Sequence, residues 1–388
     1  MGIPRVLSLC SFRSRINRSD ATVRLSSTDF SGVVSRKEAK RYLMDCLAAL
    51  KSSEDHAEQL ADVLVEADYR GHFSHGLNRI EIYIKDLRAG LCQTKDPPKI
   101  LKESPATAWV DGVNCLGPVV GNFSMDLAIK KAKECGVGWV AAKGSNHYGI
   151  AAWYSMTALK HNLLGMSFTN TSPFLCPTRS KEAALGTNPI SLAAPGKNSD
   201  SFVLDMATTT VAVGKIEIQK RKKEPIPEGW ALDAEGRPTT DAEVGFETKK
   251  LMPLGGTEMN SGYKGYGLAV LVEIFCGMLS GSTYGQNVRS WMSAERIANL
   301  GQCFIAINPE MFAPGFEERM SDLMTMLRNL PSVDKSKPVL VHGDPERAHM
   351  ALVDKEGGIR YHENQLKAAA ELAKELNIQP MKLEKPKC

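Results

Sequence analysis

From Ala108 to Ile307, short apolar or β-branched runs alternate with glycine-, proline- and asparagine-bearing loops and with helical stretches. No other feature constrains the fold as much. The runs at 108–110, 138–142, 163–169, 190–193, 203–205 and 304–307 have the length and chemistry of strands. Helical stretches at 124–134 and 267–279 lie among them, the second apolar enough to predict a buried helix. This is an α/β pattern with many short strands. The flanks read differently. Ser35-Arg-Lys-Glu38 is a capping-box pattern, followed by Ala39, Leu43, Cys46, Leu47 and Leu50 at helical spacing. A second helix is predicted over 53–67. A third carries Ile80, Tyr83, Ile84 and Leu87 in phase and stops at Gly90. Helical periodicity returns at 316–330 and 364–376.

One sequence tests the commonest dinucleotide fold. Gly136-Val-Gly138-Trp-Val-Ala141 approximates G-x-G-x-x-G/A, but a helix precedes it and a strand contains it. The fingerprint works only between a preceding strand and a following helix, where pyrophosphate meets the helix N-terminus. The context therefore speaks against a Rossmann site.

Composition excludes several classes. A formal charge of +4 over 388 residues is too small for a nucleic-acid face. The run Lys220-Arg221-Lys222-Lys223, beside Pro225 and Pro227, reads as a solvated loop, with a targeting or phosphate patch as the other reading. The apolar stretch at 267–279 is broken by Glu273 and too short to span a bilayer, so no membrane partner is expected. Nine cysteines, none in a C-x-x-C pair, fit a reducing compartment better than disulfides or zinc. The leader stands apart. Residues 1–28 hold arginines at 5, 13, 15, 18 and 24, six serines and one acid, Asp20. That is the composition of a mitochondrial transit peptide, the alternative being a disordered leader of a cytoplasmic protein.

The loops carry the candidate chemistry. His75 follows Ser74 in a loop between two helices, and Arg79 lies four residues on. His147 sits in a second loop, between a strand and a helix. A neutral histidine can take the proton of a substrate hydroxyl as hydride leaves the same carbon. An arginine can clamp a carboxylate with two parallel hydrogen bonds. Asp205, at a strand end, could orient one histidine. Taken singly, each is equally readable as an ordinary loop residue. His72 and His75 form H-x-x-H without a third ligand nearby, which argues against a metal. Gly262-Tyr-Lys264-Gly-Tyr-Gly267 opens a helix and could hold a phosphate, or be a structural turn.

Longer motifs connect these residues. They are ADYRGHFSHGLNRIEIYIKDLRAG at 67–90, AIKKAKECGVGWVAAKGSNHYGIAAWY at 128–154, TNTSPFLCPT at 169–178, LGTNPISLAAPG at 185–196, LDMATT at 204–209, IPEGWALDAEGRPTTDA at 226–242, LMPLGG at 251–256, GYKGYGLAVLVEIFCGMLSG at 262–281 and FIAINPEMF at 304–312. In order and spacing they resemble the malate/L-lactate dehydrogenase family of the non-Rossmann type. That family also includes sulfolactate and ureidoglycolate dehydrogenases and cyclic imino-acid reductases. The likeness runs from about residue 35 to the C-terminal helix.

The resemblance implies a non-Rossmann α/β fold, with a mainly antiparallel sheet in the NAD(P)-binding domain and a helical domain built from both chain ends. The division it suggests is a leader over 1–30, a helical part over 35–107, a cofactor domain over 108–310, and a C-terminal helical part over 311–388 packing with 35–107. It implies a homodimer using NAD or NADP on a small carboxylate substrate. His75 and His147 match the family's acid/base histidines. Ser74 and Asp205 match active-site polar positions, and Arg79 the expected carboxylate holder. Gly149, Ile150, Ala151, Thr171, Asp205, Met206, Ala207, Thr208 and Lys264 match cofactor-contacting stretches. Departures at His72, Phe73, Tyr148 and Lys220 to Lys223 remove no catalytic group, though the first two bear on substrate range. Reduction of a cyclic imino acid, or a catalytically silent binding protein, are the competing expectations.

Overall fold

The structure, a computed structural model, describes residues 32–387 except Met292; the arginine-rich leader lies outside the described residues. Ser35 and Ser53 start the first two helices, α1 (Arg36–Ala49) and α2 (Glu54–Tyr69), by accepting from the backbone N–H groups of Glu38 and His56. Helix α3 (Ile80–Arg88) follows a loop and one 3₁₀ turn. Then come β1 (Lys99–Glu103), β2 (Thr107–Asp111), α4 (Gly117–Cys135), β3 (Val137–Ser145), α5 (Ala151–Leu159), β4 (Leu164–Thr169), β5 (Ile190–Pro195) and β6 (Ser201–Met206). An excursion holds α6 (Val213–Lys222), the two-residue strands β7 (Ala231–Leu232) and β8 (Pro238–Thr239), and α7 (Ala242–Thr248). The chain continues through α8 (Gly262–Glu273), β9 (Leu300–Ile307), α9 (Phe316–Arg328), α10 (Asp344–Glu356) and α11 (Glu363–Leu376).

The main sheet has seven strands in the order β1-β2-β3-β9-β4-β5-β6. Only β2 and β3 run parallel, joined by α4 as the crossover, and the other pairs are antiparallel. The apparent dinucleotide fingerprint has a structural use here. Gly136 ends α4 in the left-handed region, φ 86°. At Gly138 a side chain would lie 2.0 Å from the Ala128 carbonyl of α4, and at Gly165 2.2 Å from Ser155 of α5. Both glycines pair with Ala306 of β9, so they let α4 and α5 approach one face of the sheet. The opposite face is covered by the end of α8, where Val272 and Cys276 pack on Phe168, Cys303 and Ile305.

The chain ends meet in one helical layer. Val33 and Val34 bridge to Glu384 and Ile359, and the Tyr42 hydroxyl donates to the Ala369 carbonyl at 2.8 Å. Helix α11 packs on α1 and α10 on α2, whereas α9 lies against β5 and β6. There Arg328 joins Asp200 at 2.6 Å and Asp344 at 2.8 Å. The layer shares its core with α4, β2 and β3.

Two differences from the sequence reading stand out. Strand β1 falls within the stretch read as helical. The stretch 267–279 is not buried all round. Ala269, Val272 and Cys276 are buried, but Leu271, Ile274, Met278 and Leu279 are 38, 50, 48 and 54% exposed. The helix widens into a π turn over Ile274–Met278, leaving this apolar face without cover in a single chain. The seven cysteines among the described residues are free thiols, six of them buried. No helix among those residues is long and apolar enough to cross a membrane.

Candidate active site

The loop between α2 and α3 is fixed from beneath by Asp68, fully buried at the end of α2. Its Oδ2 accepts from the Leu77 N–H and from the Tyr361 hydroxyl, each at 2.8 Å. Burial pushes this carboxyl up from the ordinary 3.8 to about 7. The sign follows directly. Between about pH 4 and 7 the folded chain keeps a proton that the unfolded chain has lost, so stability falls as pH rises through that window. Asp68→Asn retains an acceptor oxygen for both donors and removes the charge. Its melting temperature relative to the parent is expected to climb from pH 4 to 7 and then level off. Calorimetry at a series of pH values checks this; a constant difference would contradict it.

This loop delivers His75, and the loop after β3 delivers His147. Their rings stack at 5.7 Å between centroids, 21° from parallel. The Ser74 Oγ lies 2.8 Å from His75 Nδ1. His147 is anchored on both sides. Asn146 donates to the Cys115 carbonyl at 2.7 Å, and a side chain at Gly117, opening α4, would sit 2.1 Å from the His147 carbonyl. The Tyr83 Oη lies 2.6 Å from His147 Nδ1 and donates to the His147 carbonyl at 3.2 Å. The Gly149 N–H also faces Nδ1, at 3.3 Å. A phenol can donate or accept, so Tyr83 holds the ring in place in either protonation state.

Both rings are neutral at ordinary pH. Burial, then the Arg79 charge, holds His147 down to about 3. Burial, then His147, Arg79 and His72, lowers His75 well below its usual value. Two cations 5.7 Å apart would repel by about 3 kcal/mol at an effective dielectric constant of 20, which disfavours a second positive charge on the stacked pair.

Arg79 closes the site. Its Nε donates to the Ser74 carbonyl, and its guanidinium lies over the Trp291 ring, 4.7 Å from the centroid. No carboxylate pairs with it among the described residues. A half-buried guanidinium with its terminal N–H groups unclaimed among the described residues is a ready anion site.

Asp205 does not orient a histidine. Its Oδ2 accepts from the Ala152 N–H of α5 at 2.8 Å, and burial pushes the carboxyl up to about 7. It thus ties the end of β6 to the start of α5. Around that tie lie the other expected cofactor residues. Gly149 turns at φ 81°, Ile150 is the N-cap of α5 without a side-chain cap, and Ala151 is its first residue. The Thr171 Oγ1 accepts from the Thr187 N–H at 2.9 Å, and Thr208 N–H donates to the Thr187 carbonyl at 2.8 Å. Met206 and Ala207 are half-buried between them. The Thr208 carbonyl accepts from Leu254 at 2.9 Å, and Gly265 of α8 packs on Leu254. Lys264 is exposed in the first turn of α8, which also starts without a side-chain cap. The start of α8, without a side-chain cap, and the exposed Lys264 in its first turn fit a phosphate-bearing dinucleotide.

A family model described as malate/L-lactate dehydrogenase matches residues 34–369. The chain belongs to this family. It is 40% identical over 314 residues to a malate dehydrogenase of Pyrococcus abyssi, covering 80% of this chain and 86% of that protein. It is 38% identical over 348 residues to an L-sulfolactate dehydrogenase of Methanocaldococcus jannaschii, covering 89% and 98%. The solved malate dehydrogenase of Pyrococcus horikoshii OT3 superposes with a TM-score of 0.82 at 36% identity, covering 90% of this chain and 96% of that one.

Within this member of the family, Tyr83, Asp68 and Trp291 are functional candidates that sequence reasoning passed over. Tyr83 was legible only as an apolar position of α3. The departures at His72 and Phe73 point toward α10 and the C-terminal segment. His72 Nε2 is 3.6 Å from Glu346, and Phe73 meets the His349 and Tyr361 rings edge-on at 5.7 and 6.2 Å. Tyr148 is a core residue, stacked on Tyr154 at 4.6 Å with its hydroxyl 3.0 Å from Ser167.

Proposed function

We propose that the chain is an oxidoreductase that uses NAD or NADP to interconvert a small 2-hydroxy acid and its 2-oxo acid, of malate or lactate type. The observation that carries this reading is the pair of half-buried, neutral histidines beside an arginine that has no carboxylate partner among the described residues. Relatives named for malate and sulfolactate support the substrate class. Relatives named for NAD(+), at 34% identity, and for NADP(+), at 33%, support the cofactor.

Gly149, Ile150, Ala151, Thr171, Asp205, Met206, Ala207, Thr208 and Lys264 would hold the dinucleotide. When bound, it supplies the acceptor or donor of hydride. Arg79 binds the substrate carboxylate through its two terminal amino groups and sets C2 against the histidines. His147 takes the hydroxyl proton on Nε2, with Nδ1 held by the Tyr83 hydroxyl. His75, turned by Ser74, donates or accepts at the same oxygen. In the reverse direction His147 returns the proton.

The test is a substrate panel with both cofactors. Oxidation of L-malate, L-lactate or a close 2-hydroxy acid is expected, followed by absorbance of the reduced cofactor. Turnover of cyclic imino acids alone would replace this reading with the imine-reducing one. Cofactor binding without any turnover would replace it with a silent binding protein.

The reading extends to a homodimer and a mitochondrial matrix address. The exposed apolar face of Leu271, Ile274 and Met278 supports the first, since a second copy would cover it. Sedimentation at the mass of a single chain would refute it. The arginine- and serine-rich first 28 residues support the second. An intact Met1 or Gly2 on protein from cytosolic fractions would refute that.

A further inference from the structure

Helix α3 presents three functional groups on one face. Arg79 at its N-cap, Tyr83 and Asp86 are spaced four and three residues apart. Arg79 faces the substrate position and Tyr83 holds His147. Asp86 does something different. With Arg289, from the loop between α8 and β9, it forms a two-pronged ion pair. One of its bonds is 3.0 Å, and the residues are 9 and 6% exposed. The same guanidinium donates to the Ser293 carbonyl at 2.5 Å.

A buried pair of this kind contributes little net stability, because desolvating two charges offsets their attraction. It does fix geometry. Residues 288–291 are further pinned by Ser172, whose hydroxyl donates to the Arg289 carbonyl at 2.9 Å and accepts from the Trp291 N–H at 2.8 Å. Ser172 adjoins Thr171 of the expected cofactor loop. The strap therefore runs from Asp86 of α3, past the cofactor loop, and back onto Arg79 through the Trp291 ring.

We propose that Trp291 is a specificity-determining wall of the substrate pocket and the positioning residue for Arg79. The proposal rests on the oxidoreductase reading above. The Ser74 carbonyl holds Nε of Arg79, and the guanidinium carbon lies over the indole, 4.7 Å from its centroid. The terminal N–H edge is what remains for a carboxylate, and its plane is set before the substrate arrives. A planar cation stacked on an aromatic ring binds two carboxylate oxygens without first losing rotational freedom. On this proposal the indole, lying beside the guanidinium that holds the carboxylate, would also border the space of the C3 substituent.

The experiment compares the parent enzyme with Trp291→Phe and Trp291→Ala on 2-oxo acids of increasing C3 size. Cofactor dissociation constants and melting temperatures are measured alongside. Trp291→Ala is expected to raise KM for the smallest acid roughly tenfold, the loss of a cation–π contact, while kcat changes less than about threefold. Its relative kcat/KM for bulkier acids should rise. Trp291→Phe keeps an aromatic face and should return KM to within about threefold of the parent. Cofactor affinity should not move. An unchanged KM and size preference in Trp291→Ala overturns the inference. So does a loss shared equally by all acids and by cofactor binding, which is the mark of a structural role. If Trp291→Ala fails to fold, Trp291→Leu is judged by the same criteria. A parent enzyme that turns over no 2-oxo acid would instead sink the reading beneath.

Discussion

Replacing His147 by asparagine is expected to lower turnover of a 2-hydroxy acid by roughly a hundred- to ten-thousand-fold, the range of a lost positioned acid/base. Cofactor affinity should stay near the parent value. The asparagine amide can still meet the Tyr83 hydroxyl, so the loop after β3 keeps its anchors. The charge state of the ring adds a second expected result. Burial holds His147 down to about 3, so its lone pair remains available far below neutrality. For the parent enzyme, kcat/KM for oxidation should therefore run level from about pH 8 to 5 as far as this group is concerned. A single acid limb centred near 6.5 that vanishes in His147→Asn would show a ring titrating as if in water. The stability effect has the same origin. As pH falls below about 6.5 the unfolded chain gains a proton that the folded ring refuses, so stability drops toward low pH. His147→Asn removes that penalty and should resist acid unfolding better than the parent, as read from the unfolding midpoint on acid titration.

The second large effect belongs to Arg79. Arg79→Ala removes the cation that donates to the Ser74 carbonyl and lies over the Trp291 ring. Losing one partner of a desolvated, two-pronged charge pair costs about 2–5 kcal/mol, or roughly 30- to 4000-fold in kcat/KM. Most of it should appear in KM. Arg79→Lys restores the charge but neither the fork geometry nor the stacking, and is expected to fall between. Neutral analogues lacking the carboxylate provide the control. Their weak turnover should be nearly indifferent to the substitution, and an equal loss on both would move Arg79 out of the substrate site.

Much of the architecture was legible because local chemistry and global packing agree. Ser35 and Ser53 announce α1 and α2, and both act as side-chain caps. The central strands are apolar enough to declare themselves, and the helix-strand order around Gly136 and Gly138 ruled out the dinucleotide fingerprint. What stayed hidden has physical causes. Strand β1, Lys-Ile-Leu-Lys-Glu, is exposed at every position and shows no alternation of period two. Helix α10 buries only Val353, so its apolar phase is faint. The start of α4 at Gly117-Pro118 reads as a loop, although proline suits a first turn. The excursion of α6 and α7 closes around its own small core of Ile216, Ile226 and Leu251, which no periodic run reveals.

The site shows the same division. His75, His147 and Arg79 stand in loops or at a helix start, where polar residues attract notice. Their orienting partners do not. Tyr83 hides in the apolar phase of α3, and Trp291 belongs to a loop with no pattern of its own. Asp205 was read as a histidine partner because a carboxylate at a strand end invites that role. The α5 backbone offers it an N–H instead, and pairing with the chain is invisible in a list of side chains.

The most direct test of the central claim follows one atom. A 2-hydroxy acid carrying deuterium at C2 is oxidised by the purified protein, and the reduced cofactor is isolated and weighed by mass spectrometry. Direct transfer beside His75 and His147 places the deuterium on the nicotinamide ring. Unlabelled reduced cofactor, with the deuterium released to water, would contradict the account.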